Sequence, residues 1–430
     1  MTAHFLAKPA SRRQYREGFL SALLFYLLVV NNPIFGPVTT TRVAVMLLLI
    51  VWLIMSPNKL FRIDRRVLFL SLIPVFIFAL SLVSYALNGG ALYSVYSWLF
   101  MALVVILVGG LSSQWTLAQV EGFLWGAVIV ALGVWALVVV GMAVTDVNVF
   151  NPSHVRRWFS EDYFSNLNRF MNVQFIFCSL ALGALALNMV RSRIFALCAA
   201  VLVASSIGMF LYTGSRQNVL AVVCVAALLI VAVYFSSDKA GVMLRHLIRW
   251  VYRSVLVLVL LGLLAFLGVE YGLVDSDYML ERFFGAFHSG HITDSDATRL
   301  YLASQAVGAS LLPLGIGPGN FVGIYGYYPH NGYLGLAAEV GAYGVVFIMG
   351  VFFVGVGRLM VRAFRERNHL AILVWLAFFV VAILLANVGT VFRDPLYWGL
   401  VGLAAAASQY DVKRCRRRSL RDAGIEYRAD

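Results

Sequence analysis

The sequence is poor in charge. Only 12% of its 430 residues are Asp, Glu, Lys or Arg, where soluble domains carry about a quarter, and this excludes an ordinary soluble fold. Cysteine is scarce too: Cys178, Cys198 and Cys224 fall inside apolar runs and Cys415 in a basic tail, so there is no disulfide framework. The histidines and acids do not recur at metal-ligand spacings, and metal-free chemistry is the expectation. Phosphate-loop and dinucleotide fingerprints are missing, because Gly315-x-Gly317-x-Gly319 has no strand ahead of it. No small-residue cleavage site precedes the first apolar segment, which is therefore expected to be retained as a span. Nor does any period recur along the chain. The halves differ in loop length, and this argues against an inverted-repeat transporter.

What the chain has is apolar length. It is 61% hydrophobic with a mean hydropathy of +0.86, and its runs approach the ~20 residues that cross a bilayer as a helix. The expected fold is an all-α integral membrane protein, residues 1–430 forming one polytopic domain. Twelve spans are predicted, at about 18–34, 40–56, 66–87, 92–111, 118–144, 170–189, 194–213, 217–235, 251–270, 332–357, 370–388 and 396–410.

The net charge of +13 lacks the aromatic and basic interleaving of a nucleic-acid face, and topology accounts for it better. With both termini cytoplasmic, 25 of the 33 Lys and Arg residues fall on the inside, including the seven of the 411–430 tail. The outside keeps Arg42, Arg156, Arg157, Arg169, Arg216, Arg282, Arg299 and Arg393. That asymmetry is what the positive-inside rule demands.

Two outer connections are longer than topology requires, 145–169 and 271–331, and long loops are functional or disordered. In the second, Asp294-Ser-Asp-Ala-Thr-Arg299 opens what reads as an N-capped amphipathic helix, so order is expected. The loop closes on Pro313-Leu-Gly-Ile-Gly-Pro-Gly-Asn-Phe321, whose glycines and prolines cannot sustain a helix and predict a loop with exposed N–H groups. It then reaches Pro329-His330-Asn331-Gly332-Tyr333 and Glu339-Val-Gly341.

Three outer features point to chemistry. Thr213-Gly-Ser-Arg216-Gln-Asn218 is a tight turn that fixes Arg216 at the membrane surface; Arg299 and His330 belong to the long loop. A guanidinium fork matches phosphate oxygens, and imidazole takes a proton from a hydroxyl near neutral pH. The plainer readings are an arginine snorkelling to head groups and a satisfied interfacial histidine. Tyr325, Tyr327 and Tyr328 suit either sugar stacking or interfacial packing. Asp394 stands beside Arg393 and can neutralise it.

The Thr-Gly-Ser-Arg turn, the arginine-led helix running into Pro-x-Gly-x-Gly-x-Gly-Asn-Phe, and His-Asn-x-Tyr-Leu followed by Glu-x-Gly-x-x-Gly together resemble the O-antigen polymerase and O-antigen ligase superfamily. The motifs cover about 213–344. The resemblance implies a metal-independent, cofactor-free glycosyltransferase of the bacterial inner membrane, with its active site and the 271–331 loop on the periplasmic face. It would take a glycan from an undecaprenyl-diphosphate donor. Arg216 and Arg299 would hold the diphosphate, His330 would activate the acceptor hydroxyl, and Arg393, Asn331 and Tyr333 are further candidate substrate contacts. The Ser215-Arg216-Gln217-Asn218 turn and the 329–333 stretch resemble polymerases slightly more, with another lipid-linked repeat unit as acceptor; the alternative is a ligase acting on lipid A core. Membrane lipids and a chain-length regulator are the partners such an enzyme takes. A flippase or other transporter, the reading from another class, would call for polar and charged residues near mid-span, of which the sequence has few, and for internal symmetry, of which it has none.

Overall fold

The structure is a computed structural model, and it describes residues 12–30, 33–35, 38–55, 63–113, 115–145, 147, 154–155, 158, 167–187, 189–190, 192–212, 216–236, 294–329, 331–366, 368–382 and 394–408. In chain order the helices are α1 (Arg12–Val30), α2 (Thr40–Met55), α3 (Arg65–Asn88), α4 (Leu92–Ser112), α5 (Leu117–Val144), α6 (Leu167–Ala186), α7 (Arg193–Tyr212) and α8 (Arg216–Ser236). After them come α9 (Asp294–Ser310), α10 (Asn320–Tyr325), α11 (Gly332–Val340), α12 (Ala342–Arg365), α13 (His369–Val380) and α14 (Pro395–Ala407). Between α1 and α2 lies an antiparallel hairpin, β1 (Pro33–Phe35) with β2 (Val38–Thr39).

Five of these helices, α3, α4, α5, α7 and α12, are long and apolar enough to cross a membrane. Large apolar side chains such as Phe76, Leu137 and Phe347 stand exposed on their outward faces, and with lipid as the outer solvent such faces carry no penalty. The protein is built as a membrane-embedded helical bundle.

Helix ends follow local chemistry. Thr116 and Gln119 form a reciprocal capping box at the start of α5, while Asp64, Asn368 and Asp394 each cap a helix with a side-chain oxygen. The expected 18–34 span is displaced toward the chain start: α1 runs over Arg12–Val30, and Pro33, which lacks a helical N–H, begins the hairpin instead. The expected 332–357 span is two helices, α11 and α12. They are separated at Gly341, whose φ of 86° and ψ of 141° belong to a region that side chains other than glycine avoid. The predicted 251–270 span lies outside the described residues.

Small residues let the helix backbones touch. A Cβ on Gly18 would overlap the Gln119 carbonyl and one on Gly122 the Tyr15 carbonyl, while Gly126 would meet Ala22 Cβ at 2.7 Å. This small-residue seam joins α1 to α5 side by side, as membrane helices pack in the absence of a hydrophobic drive. Between α4 and α14, a Cβ on Gly402 would lie 2.8 Å from the Val105 carbonyl oxygen. α3 and α12 run antiparallel: Gly344 abuts Leu80 and Gly355 abuts Phe69.

These pairings sort the bundle into two ends. At one, Arg66 Nη1 donates to the Ser408 carbonyl (2.8 Å), Asn368 Nδ2 to the Ala407 carbonyl (2.8 Å) and Trp375 Nε1 to Ser408 Oγ (2.8 Å). The end of α12, with Arg358, Arg362 and Arg365, belongs to this basic end. The opposite end collects the C-terminus of α3, the start of α4, the 313–319 loop and the junction of α11 with α12.

Candidate active site

The Gly-rich loop is the best-tied part of that opposite end. Its N–H groups are not exposed as the sequence suggested. Ile316 N donates to the Ala338 carbonyl (2.9 Å), Gly317 N to the Glu339 carbonyl (3.1 Å) and Gly315 N to the Leu312 carbonyl (3.1 Å). Pro318 returns its own carbonyl to Ala91 N (2.7 Å). Ser84 Oγ donates to the carbonyls of Leu314 (2.7 Å) and Glu339 (2.8 Å), and Asn320 Nδ2 to those of Ile316 (2.8 Å) and Asn88 (3.2 Å). The glycines are there because backbone meets backbone. At Gly317 φ is +97° and a Cβ would lie 2.6 Å from the Gly89 carbonyl oxygen. The loop is thus a clamp that bolts α11 to α3 and α4, and it offers no cradle of spare amides.

The clamp sets the direction of α9 and α11. Residues just past the end of α9, Leu312 and Pro313, present their carbonyls to Gly341, just past the end of α11. The two helices therefore run side by side in the same direction, packed through Leu302, Ala306, Ala309, Leu334, Ala338 and Phe321. Counting back the nine residues of α11 from Ser310 reaches Leu302. Arg299 consequently lies within one helical turn of the level at which α11 starts, where Asn331 stands, and it is exposed. His330 lies outside the described residues, as does Arg393.

Two of the expected contacts have other employment. Asn331 is the N-cap of α11, its Oδ1 accepting from Leu334 N (2.9 Å). Tyr333 points into the bundle: its hydroxyl donates to the Ala382 carbonyl (2.9 Å) and lies 3.3 Å from the Tyr397 hydroxyl, with its ring against Phe353. Both serve to hold α11 in place. Asp394 Oδ1 accepts from Leu396 N (3.0 Å) as the cap of α14. Among the tyrosines, Tyr325 packs on Phe321 (ring centroids 4.6 Å) and Tyr328 lies over Gly335, whereas Tyr327 is 69% exposed. Of these three, only Tyr327 presents an open ring.

Arg216 is the first residue of α8; its side chain is outside the described part. α8 packs on α6, α7, α12 and α13, whereas α9 packs on α11 and α11 on α12, so two helices intervene between the one that carries Arg216 and the one that carries Arg299. Two features of this end were not drawn from the sequence. One is Glu339, whose side chain is fully buried near the end of α11; a carboxylate in an apolar helix was the available signal. The other is a groove between α3 and α12, lined by Ile73, Phe76, Leu80, Val83, Phe347 and Val351, which encloses about 350 Å³. The groove is apolar throughout, and no periodicity in either helix distinguishes it from a packed seam. Among the described residues no group of His, Cys, Asp and Glu is arranged to hold a metal ion. Comparison with protein-family models finds no match, and comparison with curated proteins finds none either.

Proposed function

We propose that the protein is a membrane glycosyltransferase of the O-antigen polymerase and ligase type, which moves a glycan from undecaprenyl diphosphate to a sugar hydroxyl on the periplasmic face. In this reading the basic end of the bundle is cytoplasmic, the chain crosses the inner membrane twelve times, and the end bearing the 313–319 clamp faces outward. The supporting observation is the apolar α3/α12 groove, whose upper end meets the clamp that also fixes Arg299 within one helical turn of the start of α11. A substrate with a long hydrocarbon tail and an anionic head fits that arrangement: the polyprenyl chain lies along Phe76, Leu80 and Phe347, and the diphosphate rises toward the arginines.

Chemically, Arg216 and Arg299 neutralise the charge that develops on the departing diphosphate, the task for which fixed cations in a low-dielectric site are most effective. His330 takes the proton of the attacking hydroxyl. The C–O bond to the diphosphate breaks as the new glycosidic bond forms, and undecaprenyl diphosphate leaves. Polymerisation onto a second lipid-linked repeat unit is favoured over transfer to lipid A core by the sequence resemblance at 329–333. The test is reconstitution of the purified protein in liposomes with a lipid-diphosphate glycan. Release of undecaprenyl diphosphate, with longer chains still on the carrier lipid, is expected; movement of intact donor across the bilayer without its consumption would refute the assignment.

A further inference from the structure

α11 and α14 divide one membrane crossing between them. Tyr333, eight residues before Gly341 on α11, lies against Phe353, twelve residues after it on α12, with ring centroids 6.2 Å apart. The two helices therefore fold back on each other, and the start of α11 is sunk below the outer end of the bundle. The depth is about 12 Å by the rise of α11 and about 18 Å by that of α12, the reach of the tyrosine covering the difference. α14 begins at the same depth. Tyr397 and Trp398 of its first turn pack on Phe352 (6.3 and 5.9 Å). Its thirteen residues rise only about 20 Å from the basic end, short of the ~30 Å hydrocarbon core, and the nine of α11 supply about 13 Å more. The Tyr333 and Tyr397 hydroxyls, 3.3 Å apart, mark where the two pieces meet.

Such a break is costly in lipid. Helix starts leave N–H groups without intrahelical partners, and irregular backbone at membrane depth is tolerated only inside protein or beside water. Both starts carry polar caps, Asn331 and Asp394, and both residues are partly exposed. A carboxylate with open surface at this depth faces water, because hydrocarbon penalises it. Arg299, exposed within a turn of the start of α11, obeys the same rule. The water enters from the outer side. Below the break α14 is buried from Pro395 to Ala407, and Arg66, Asn368 and Trp375 tie the basic end shut on Ala407 and Ser408.

We infer that a water-filled inlet descends from the outer face to the junction of α11 with α14, with Asn331 and Asp394 at its floor. It takes a hydroxyl-bearing chain, whereas the α3/α12 groove takes hydrocarbon. The inlet itself stands apart from the transferase reading. Its use rests on that reading: the acceptor sugar enters here, and the two substrates reach the start of α11 by separate routes.

The test is cysteine labelling of the full-length protein in liposomes of one predominant orientation, read above the parent chain with its Cys178, Cys198, Cys224 and Cys415. The probe is a small, cationic, membrane-impermeant methanethiosulfonate added from the outer side. Asn331→Cys and Asp394→Cys are expected to react at least about tenfold faster than Val354→Cys. Val354 stands at the same depth on the exposed face of α12, where lipid suppresses the reactive thiolate. Rates as slow as that of Val354→Cys would mean a sealed junction and overturn the inference. So would a bulky polyethylene-glycol maleimide that labels both as fast as Tyr93→Cys at the start of α4, the mark of a junction on open surface. Should Asp394→Cys fail to fold, Asn331→Cys, which keeps the α14 cap, carries the comparison. Labelling without glycan transfer by the parent chain leaves the inlet and removes the transferase; transfer with both cysteines unreactive does the reverse.

Discussion

Replacing Gly341 by alanine tests the clamp at its tightest point. The residue separates α11 from α12 at φ 86° and ψ 141°, a conformation whose strain in any other residue is of the order of 1–3 kcal/mol. The new Cβ would also overlap the Pro313 carbonyl oxygen and lie 3.1 Å from that of Leu312. Both obstacles are backbone, so no rotamer relieves them. The loop has to move, and the first contacts in its path are Ile316 N to the Ala338 carbonyl and Gly317 N to the Glu339 carbonyl, worth about 1 kcal/mol each. The expected loss is about 3–5 kcal/mol at this junction. Gly357→Ala in the interior of α12 is the control: nothing lies within 4 Å of its would-be Cβ, and alanine gains about 1 kcal/mol of helix propensity there. Thermal melting in detergent, with tryptic cleavage after Arg299 as a local probe, should show Gly341→Ala destabilised and its 294–329 segment cut faster, and Gly357→Ala unchanged or firmer. Equal melting and equal cleavage for the two variants would refute the clamp.

Other outcomes follow from the same geometry. His330→Ala should lower transfer by about 10²–10⁴-fold, the contribution of a positioned acid–base group, and leave donor binding intact in a filter or scintillation-proximity assay. Arg216→Lys should impair turnover although the charge is kept, because an ammonium cannot reproduce the guanidinium fork; steady-state rates in liposomes check this. Ala79→Phe, which narrows the α3/α12 groove, should raise KM for a full-length polyprenyl donor several-fold and spare a short-chain one. Gly122→Leu drives a side chain into the Tyr15 carbonyl of α1 and should reduce the yield of folded protein on size exclusion.

The helices were legible because membrane insertion writes them as length and apolarity. α2, α3, α4 and α5 fall within one residue or so of their predicted bounds. The errors share a cause. A hydropathy window sums side chains and is blind to backbone conformation, so it ran 332–357 straight through Gly341 and extended the first span across Pro33. Glycine carries opposite meanings in this chain. At Gly122 it is helical and admits a neighbouring backbone; at Gly341 it breaks the helix. Only the partner across the interface distinguishes the two, and the partner is distant in sequence.

The same distance explains what was hidden at the site. Asn331 and Tyr333 sit in a motif beside a histidine, and proximity in sequence suggested a shared substrate. In space one caps α11 and the other reaches Ala382 and Tyr397, forty-nine and sixty-four residues away. On this argument Asn331→Ala should cost stability of α11, by the ~1 kcal/mol of a lost cap, and leave diphosphate affinity alone. Melting and farnesyl diphosphate titration of this one variant separate a residue that builds the site from one that touches substrate; unchanged melting with lost affinity would return Asn331 to the substrate.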